Sequence, residues 1–250
     1  MLSVELGLGL LSIGRKWGVN HVQPPHERDA LSLIETAYLN GIRFFDTAPA
    51  YGRSETILGY AISKALLPLD QITIATKMGE HWNEDEKSAR PGHSFDELAQ
   101  ILDNSLKLLE KIDLLQLHKA NRNNVVSSDV FKAFDRAERM GIKIFGASVS
   151  DIETAIIACK CGRYSYLQFP FNSNDHSLQP VFENLTKYDM KAIINRPFAM
   201  GALIDKDGKK SQSEFFHFIL SMAFQGVILT GTSSATHLLA NVEAFKNASA

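Results

Sequence analysis

Four side chains in this sequence have the types and the spacing for proton chemistry. In FFDTAPAYGRSE, residues 44–55, a run that begins like a buried strand ends on a carboxylate, Asp46, and a phenol, Tyr51, follows in a loop stiffened by Pro49. The run ITIATKM carries Lys77 near its end, and LLQLHKA carries His118. Brought together, these groups would complement one another. An ammonium beside a phenol favours phenolate and lowers a phenol pKa of about 10. A carboxylate offsets the cost of keeping that ammonium out of water. A neutral imidazole donates a hydrogen bond to an oxygen and orients it. The set makes Tyr51 a usable proton donor, with His118 holding the acceptor. Singly, each has an ordinary explanation: a helix cap, a core tyrosine with its hydroxyl satisfied, a lysine reaching along its stem to water, a structural histidine. A strand-end lysine near acidic groups also fits a second chemistry, Schiff-base formation by a lyase.

The elements that must position these residues are legible as an alternation. Eight apolar runs too short for helices recur, at residues 6–14, 42–48, 72–78, 114–120, 143–149, 166–171, 191–197 and 226–231. Each is followed by turn residues and a longer amphipathic stretch of helical period. Strands that are apolar on both faces and alternate with helices pair in parallel, with both sheet faces covered. The expectation is an α/β fold, a (β/α)8 TIM barrel over residues 1–250 as a single domain. An open doubly wound sheet is the alternative, but its G-x-G-x-x-G turn is missing. SFDE at 94, SDIE at 150 and SQSE at 211 read as capping boxes with serine at the N-cap, and Gly41 and Gly141 as C-terminal caps. Leu31, Ile34 and Tyr38 are expected to share one helix face, and Leu98, Ile101, Leu102 and Leu109 another. Chemistry in such a barrel collects at the C-terminal ends of the strands. Asp46, Tyr51, Lys77 and His118 are therefore expected at one mouth.

A chain of 250 residues, 45% hydrophobic, suffices for a core of that size. Its formal net charge of −2 gives no electrostatic case for nucleic acid or an anionic membrane, which leaves a small molecule as the expected partner. The early run LGLGLLSIG is flanked by Glu5 and by the pair Arg15 and Lys16, with no small-residue cleavage site, and reads as a first strand, not a secretory signal. No apolar stretch approaches the roughly 18 residues that span a bilayer. Cys159 and Cys161 fall on different faces of an expected helix, so reduced thiols are expected, with neither a disulfide nor a metal site. A cytoplasmic monomer is the matching expectation.

FFDTAPAYGRSE, IATK and LLQLHKA, in that order at strand ends, resemble the aldo-keto reductase family, and the likeness runs on to GTSSATHLLAN near the C-terminus. The D-T-A-x-x-Y-G-x-S-E motif is its specific element. The resemblance implies that Asp46, Tyr51, Lys77 and His118 are a catalytic tetrad. Tyr51 would be general acid in carbonyl reduction and general base in alcohol oxidation, and the hydride would come from a nicotinamide, normally NADPH. Ser148 and Gln168 match positions that hold the carboxamide, while Val149 replaces the second residue of a Ser-Asn pair common there. Asn195, with Arg196 beside it, stands where an aromatic ring often stacks on the nicotinamide; Phe198 or the Arg196 guanidinium plane are the substitutes at hand. Gly231, Thr232, Ser233, His237 and Asn241 match a segment that meets the adenosine phosphate, where a helix N-terminus favours an anion. Many relatives carry Lys and Arg at the positions of Gly231 and His237. Their absence weakens the preference for NADPH, so NADP is expected with NAD as the alternative. The short connection DKDGKK and the few residues after Asn241 imply a loosely held cofactor. GEHWNEDEKSARPGH is the longest candidate lid, with Trp82 and Trp17 able to line an aromatic pocket and the run Glu84 to Lys87 in solvent. A nucleotide-bound regulatory protein without turnover is the non-enzymatic alternative.

Overall fold

The computed structural model describes residues 3–19, 21–204 and 211–250. The chain opens with β1 (Val4–Gly9), a single helical turn α1 (Leu11–Gly14), α2 (Glu27–Leu39), β2 (Phe44–Asp46) and α3 (Ser54–Ser63). β3 (Thr73–Met78) runs into a hairpin, β4 (Glu80–Asn83) and β5 (Ser88–Pro91), before α4 (Phe95–Leu109). Strand and helix then alternate: β6 (Leu114–Leu117), α5 (Ser128–Arg139), β7 (Ile144–Ser148), α6 (Ile152–Cys161), β8 (Tyr166–Pro170) and α7 (Val181–Lys187). The last four are β9 (Lys191–Asn195), α8 (Gln212–Leu220), β10 (Gly226–Thr230) and α9 (Ala235–Ser249). Eight of the strands, all but β4 and β5, form a closed parallel ring in the order β1-β10-β9-β8-β7-β6-β3-β2. This is the expected (β/α)8 barrel.

The apolar content divides between two cores. Most lies between ring and helices, and a smaller cluster of Phe44, Ala75, Leu114, Ile193, Val227 and Leu229 plugs the inside of the ring, with Tyr166 against it. Side chains two residues apart on a strand face the same way. The next inward positions toward the strand ends are therefore Asp46, Lys77, Gln116, Gln168 and Asn195. A polar layer sits on an apolar floor.

Several local expectations move. The first strand stops at Gly9, because its neighbour β2 ends at Asp46; Leu10 N–H donates to Asp46 O at 2.8 Å, and beyond it the chain coils into α1. Ser94 and Ser211 form the expected capping boxes with Glu97 and Glu214. At SDIE the N-cap is Asp151, not Ser150: its carboxylate accepts from Thr154 N and Oγ1, both at 2.8 Å. Gly41 and Gly141, at φ 94° and 97°, take the left-handed position just past their helices. In α2 the buried stripe is Ala30, Leu33, Ile34 and Ala37, with Leu31 and Tyr38 at its half-buried edges. The expected face of α4 is buried. The candidate lid is the antiparallel β4–β5 ladder, its turn Glu84–Lys87 exposed. Cys159 and Cys161 are free thiols. Among the described residues no helix is long and apolar enough to cross a membrane, and no group of three or more His, Cys, Asp or Glu side chains is placed to hold a metal ion. DKDGKK lies outside the described residues.

Candidate active site

The polar layer brings the four candidate residues together. Lys77 Nζ, from β3, is buried and donates to Asp46 Oδ1 at 2.6 Å and to Thr47 O at 2.9 Å. Asp46 also accepts from Gln116 Nε2 at 3.1 Å and from Gln168 Nε2 at 3.5 Å, so one buried carboxylate serves three donors from three strands. Tyr51 arrives on a turn of 3-10 helix, Pro49–Tyr51. Its seat is set by the backbone of α1: a Cβ on Gly14 would lie 1.8 Å from Tyr51 O, so only glycine permits the approach. The Lys77 ammonium is 4.9 Å from the centre of the Tyr51 ring, and the His118 ring meets that ring edge-on at 5.8 Å and 84°.

Electrostatics separate these groups into distinct states. Burial pulls Lys77 down, but the Asp46 carboxylate and Tyr51 lift it above its ordinary value, so it stays an ammonium. His118 is held well below its ordinary value by burial and by Lys77, Lys119 and Arg15, and is neutral as expected. Tyr51 departs from expectation. Its pKa is raised: burial outweighs the opposing pull of Lys77, although part of the residue stays open to the mouth. The sequence discloses the cation beside the phenol, but the cost of ionising a phenol this deep depends on the surrounding protein.

Three further residues belong to this neighbourhood. Gln116 occupies the inward position two before His118, a signal present in LLQLHKA but masked by its apolar neighbours. Glu80, at the start of the hairpin, is buried with Oε2 3.1 Å from His118 Nδ1 and Oε1 3.7 Å from Lys119 Nζ. The first contact is misaligned, and His118 Nδ1 has no hydrogen-bond partner. Arg15 packs against both tryptophans, its guanidinium 5.7 Å from the Trp17 ring centre and 4.9 Å from that of Trp82. The two tryptophans expected to line an aromatic pocket share one guanidinium.

The candidate cofactor residues divide into two groups. On the ring, Gln168 Oε1, Asn195 Oδ1 and Thr230 Oγ1, with Ser12 Oγ from α1, are buried without hydrogen-bond partners. An unmet buried polar atom costs about 1–3 kcal/mol, and a carboxamide and ribose hydroxyls carry the hydrogens these oxygens lack. The residues present therefore fit a nicotinamide nucleotide. Ser148 pairs in register with Gln168 at the end of β7, and Val149 is buried. Phe198 is taken by α8, edge-on to Phe215 at 6.1 Å and Phe216 at 5.2 Å, which removes it as a platform for the nicotinamide. Arg196 is exposed, its guanidinium 6.0 Å from the Trp17 ring centre. Around the N-terminus of α9, Gly231 and His237 are exposed and Ser233 half-buried, while Thr232 Oγ1 accepts from Ser234 N at 3.1 Å. Ser234 is the N-cap, accepting from His237 N at 3.4 Å, and Asn241 is buried. A cavity of about 300 Å³ among Val4, Ile42 and Phe245 touches none of these residues.

A closed parallel barrel with a polar cluster at its strand ends defines the class of molecule. The family model described as Aldo/keto reductase family matches residues 5–217, and the chain belongs to that family of nicotinamide-dependent oxidoreductases. It is 27% identical over 229 residues to the uncharacterized oxidoreductase YqkF of Bacillus subtilis, covering 88% of this chain and 70% of that one. With the L-galactose dehydrogenase of Arabidopsis thaliana it shares 26% identity over 212 residues, 80% of this chain and 63% of the relative. The crystal structure of PA4992 from Pseudomonas aeruginosa superposes with a TM-score of 0.83 at 24% identity, covering 100% of this chain and 91% of that one. That last likeness speaks for the fold alone.

Proposed function

We propose that this chain reduces an aldehyde or ketone to an alcohol, with Tyr51 as proton donor and NADPH, in preference to NADH, as hydride source. The observation that carries the reading is the buried Lys77 ammonium, held 2.6 Å from Asp46 and 4.9 Å from the centre of the Tyr51 ring. A proton donor must hold its proton until the reaction calls for it, and burial keeps the Tyr51 phenol protonated. Charge develops on the phenol oxygen only as the proton leaves for the carbonyl oxygen, and a fixed ammonium in a dry site stabilises that charge without reorganisation. Asp46 keeps the ammonium in place and charged. Neutral His118 orients the carbonyl oxygen by donating to it. When bound, the nicotinamide supplies the hydride. Ser148 and Gln168 would hold its carboxamide, Asn195 and Arg196 would border the nicotinamide ring, and Gly231, Thr232, Ser233, His237 and Asn241 would receive the adenosine end. A Schiff-base lyase is disfavoured, because Lys77 is protonated and donates to two oxygens, leaving no free amine to attack a carbonyl.

Steady-state assays over aldehydes and ketones, with NADPH and with NADH, test the reading, together with Tyr51→Phe. The variant should lose about 10²–10⁴-fold in kcat, the usual effect of a general acid, while binding cofactor within about twofold of wild type. Turnover retained in Tyr51→Phe would remove Tyr51 from this role. Borohydride trapping of a carbonyl substrate on Lys77 would restore the lyase.

A further inference from the structure

Arg15 is fixed beside the Tyr51 loop by its own backbone. Its neighbour Gly14 abuts the Tyr51 carbonyl, and Gly14 O accepts from Arg53 N at 3.2 Å. The guanidinium packs against both Trp17 and Trp82 of the hairpin. Its charge reaches the site, since Arg15 is among the cations that depress His118. Yet Nε is covered and has no hydrogen-bond partner. Glu80, the carboxylate whose field acts most on Arg15, lies against His118 and Lys119. Among the described residues no carboxylate forms an ion pair with Arg15, while Asp46 and Glu80 each have a lysine.

Stacking on two indoles offsets part of the cost of a desolvated guanidinium, but it gives the donors no hydrogen-bond partner. What the arrangement lacks is a planar acceptor. A carboxylate matches the guanidinium fork with two parallel hydrogen bonds, and flanking indoles keep water from competing. We propose that Arg15, braced by Trp17 and Trp82, is the subsite for a carboxylate on the substrate, so that the carbonyl compound reduced at Tyr51 is an oxo acid. The proposal rests on the reductase reading for the reaction, though not for the binding.

The chain has two tryptophans and both flank Arg15, so intrinsic fluorescence reports on the subsite without turnover. Benzoate and its neutral analogue benzamide are titrated into wild type, Arg15→Met and Arg15→Lys. Benzoate should perturb the wild-type emission saturably and bind about tenfold tighter than benzamide, as expected for hydrogen bonds to a charged group. Arg15→Met should lose that discrimination, and Arg15→Lys should recover part of it. In kinetics, 4-formylbenzoate should exceed its methyl ester about tenfold in kcat/KM, chiefly through KM, with the ratio falling toward one in Arg15→Met. Equal wild-type binding of benzoate and benzamide would overturn the subsite. So would unchanged discrimination in Arg15→Met, or a loss there of NADPH affinity in place of benzoate affinity. Selective benzoate binding by a protein that reduces no carbonyl would keep the subsite and refute the reductase reading instead.

Discussion

Replacing Glu55 by glutamine should remove a pH dependence from the stability of this barrel. Glu55 lies on the first turn of α3, is 4% exposed, and accepts from Thr76 Oγ1 at 2.6 Å. Burial raises its carboxyl from 4.5 to about 7 against the pull of Thr76 and Lys77. In the unfolded chain the ordinary value returns. Between those two values the folded state binds more protons than the unfolded state, so stability falls as pH rises. The contribution is complete below about pH 4.5 and lost as pH passes about 7. At about 1.4 kcal/mol per pH unit, the rise from 4.5 to about 7 is worth about 3 kcal/mol. His118 acts with the opposite sign: its lowered value makes the unfolded chain the better proton acceptor, and its contribution is lost as pH falls below 6.5. The wild-type curve mixes both, and the difference between wild type and Glu55→Gln isolates Glu55. Urea unfolding at pH 5, 6, 7 and 8 measures it. Relative to wild type, the variant should gain about 2.5 kcal/mol over that range, the remainder having been lost below pH 5. A difference that does not move with pH would mean that the carboxyl titrates alike folded and unfolded, and the burial argument would fail.

Lys77→Met should cost about 3–5 kcal/mol in urea unfolding, because it strands Asp46 as a buried charge; adding Asp46→Asn should recover part of that loss, and two additive effects would show that the pair is uncoupled. Gly14→Ala places a methyl 1.8 Å from a backbone carbonyl, and should destabilise by about 3 kcal/mol and displace Tyr51. A melting temperature and kcat both equal to wild type would show that the α1 contact yields freely. His237→Arg adds a fixed cation at the N-terminal turn of α9 and should raise the NADPH-to-NADH ratio of kcat/KM about tenfold. An unmoved ratio would take His237 away from the adenosine phosphate.

The barrel was legible because eight strands apolar on both faces allow few architectures. Asp46, Lys77 and His118 stood out as polar groups where such strands end. Gln116 obeys the same inward alternation, but a glutamine inside LLQLH carries little contrast against leucines that are buried whichever way they face. Glu80 and Arg15 were hidden for a different reason. Their surroundings are completed by the hairpin, a tertiary event, and its turn, EDEK, lacks the glycine that usually announces a hairpin. The N-cap of α6 was missed by one residue because serine and aspartate are adjacent and both competent; only the backbone decides between them. The raised Tyr51 pKa belongs to the same class, since depth is a property of the assembled molecule.

Ring closure also bears on how this protein reaches its native state. β1 is zipped on one side to β2 and on the other to β10, with Val4 opposite Gly226 and Leu8 opposite Thr230, so its second partner is made more than two hundred residues later. Contacts this distant along the chain are slow to form and leave strand edges open meanwhile. The floor beneath the polar layer is sealed by Val227 and Leu229, and the α9 turn follows them directly. During synthesis, the ring and its polar layer thus close only once β10 has emerged, and a nascent chain stalled before β10 exposes an unpaired β1 edge to any sticky neighbour.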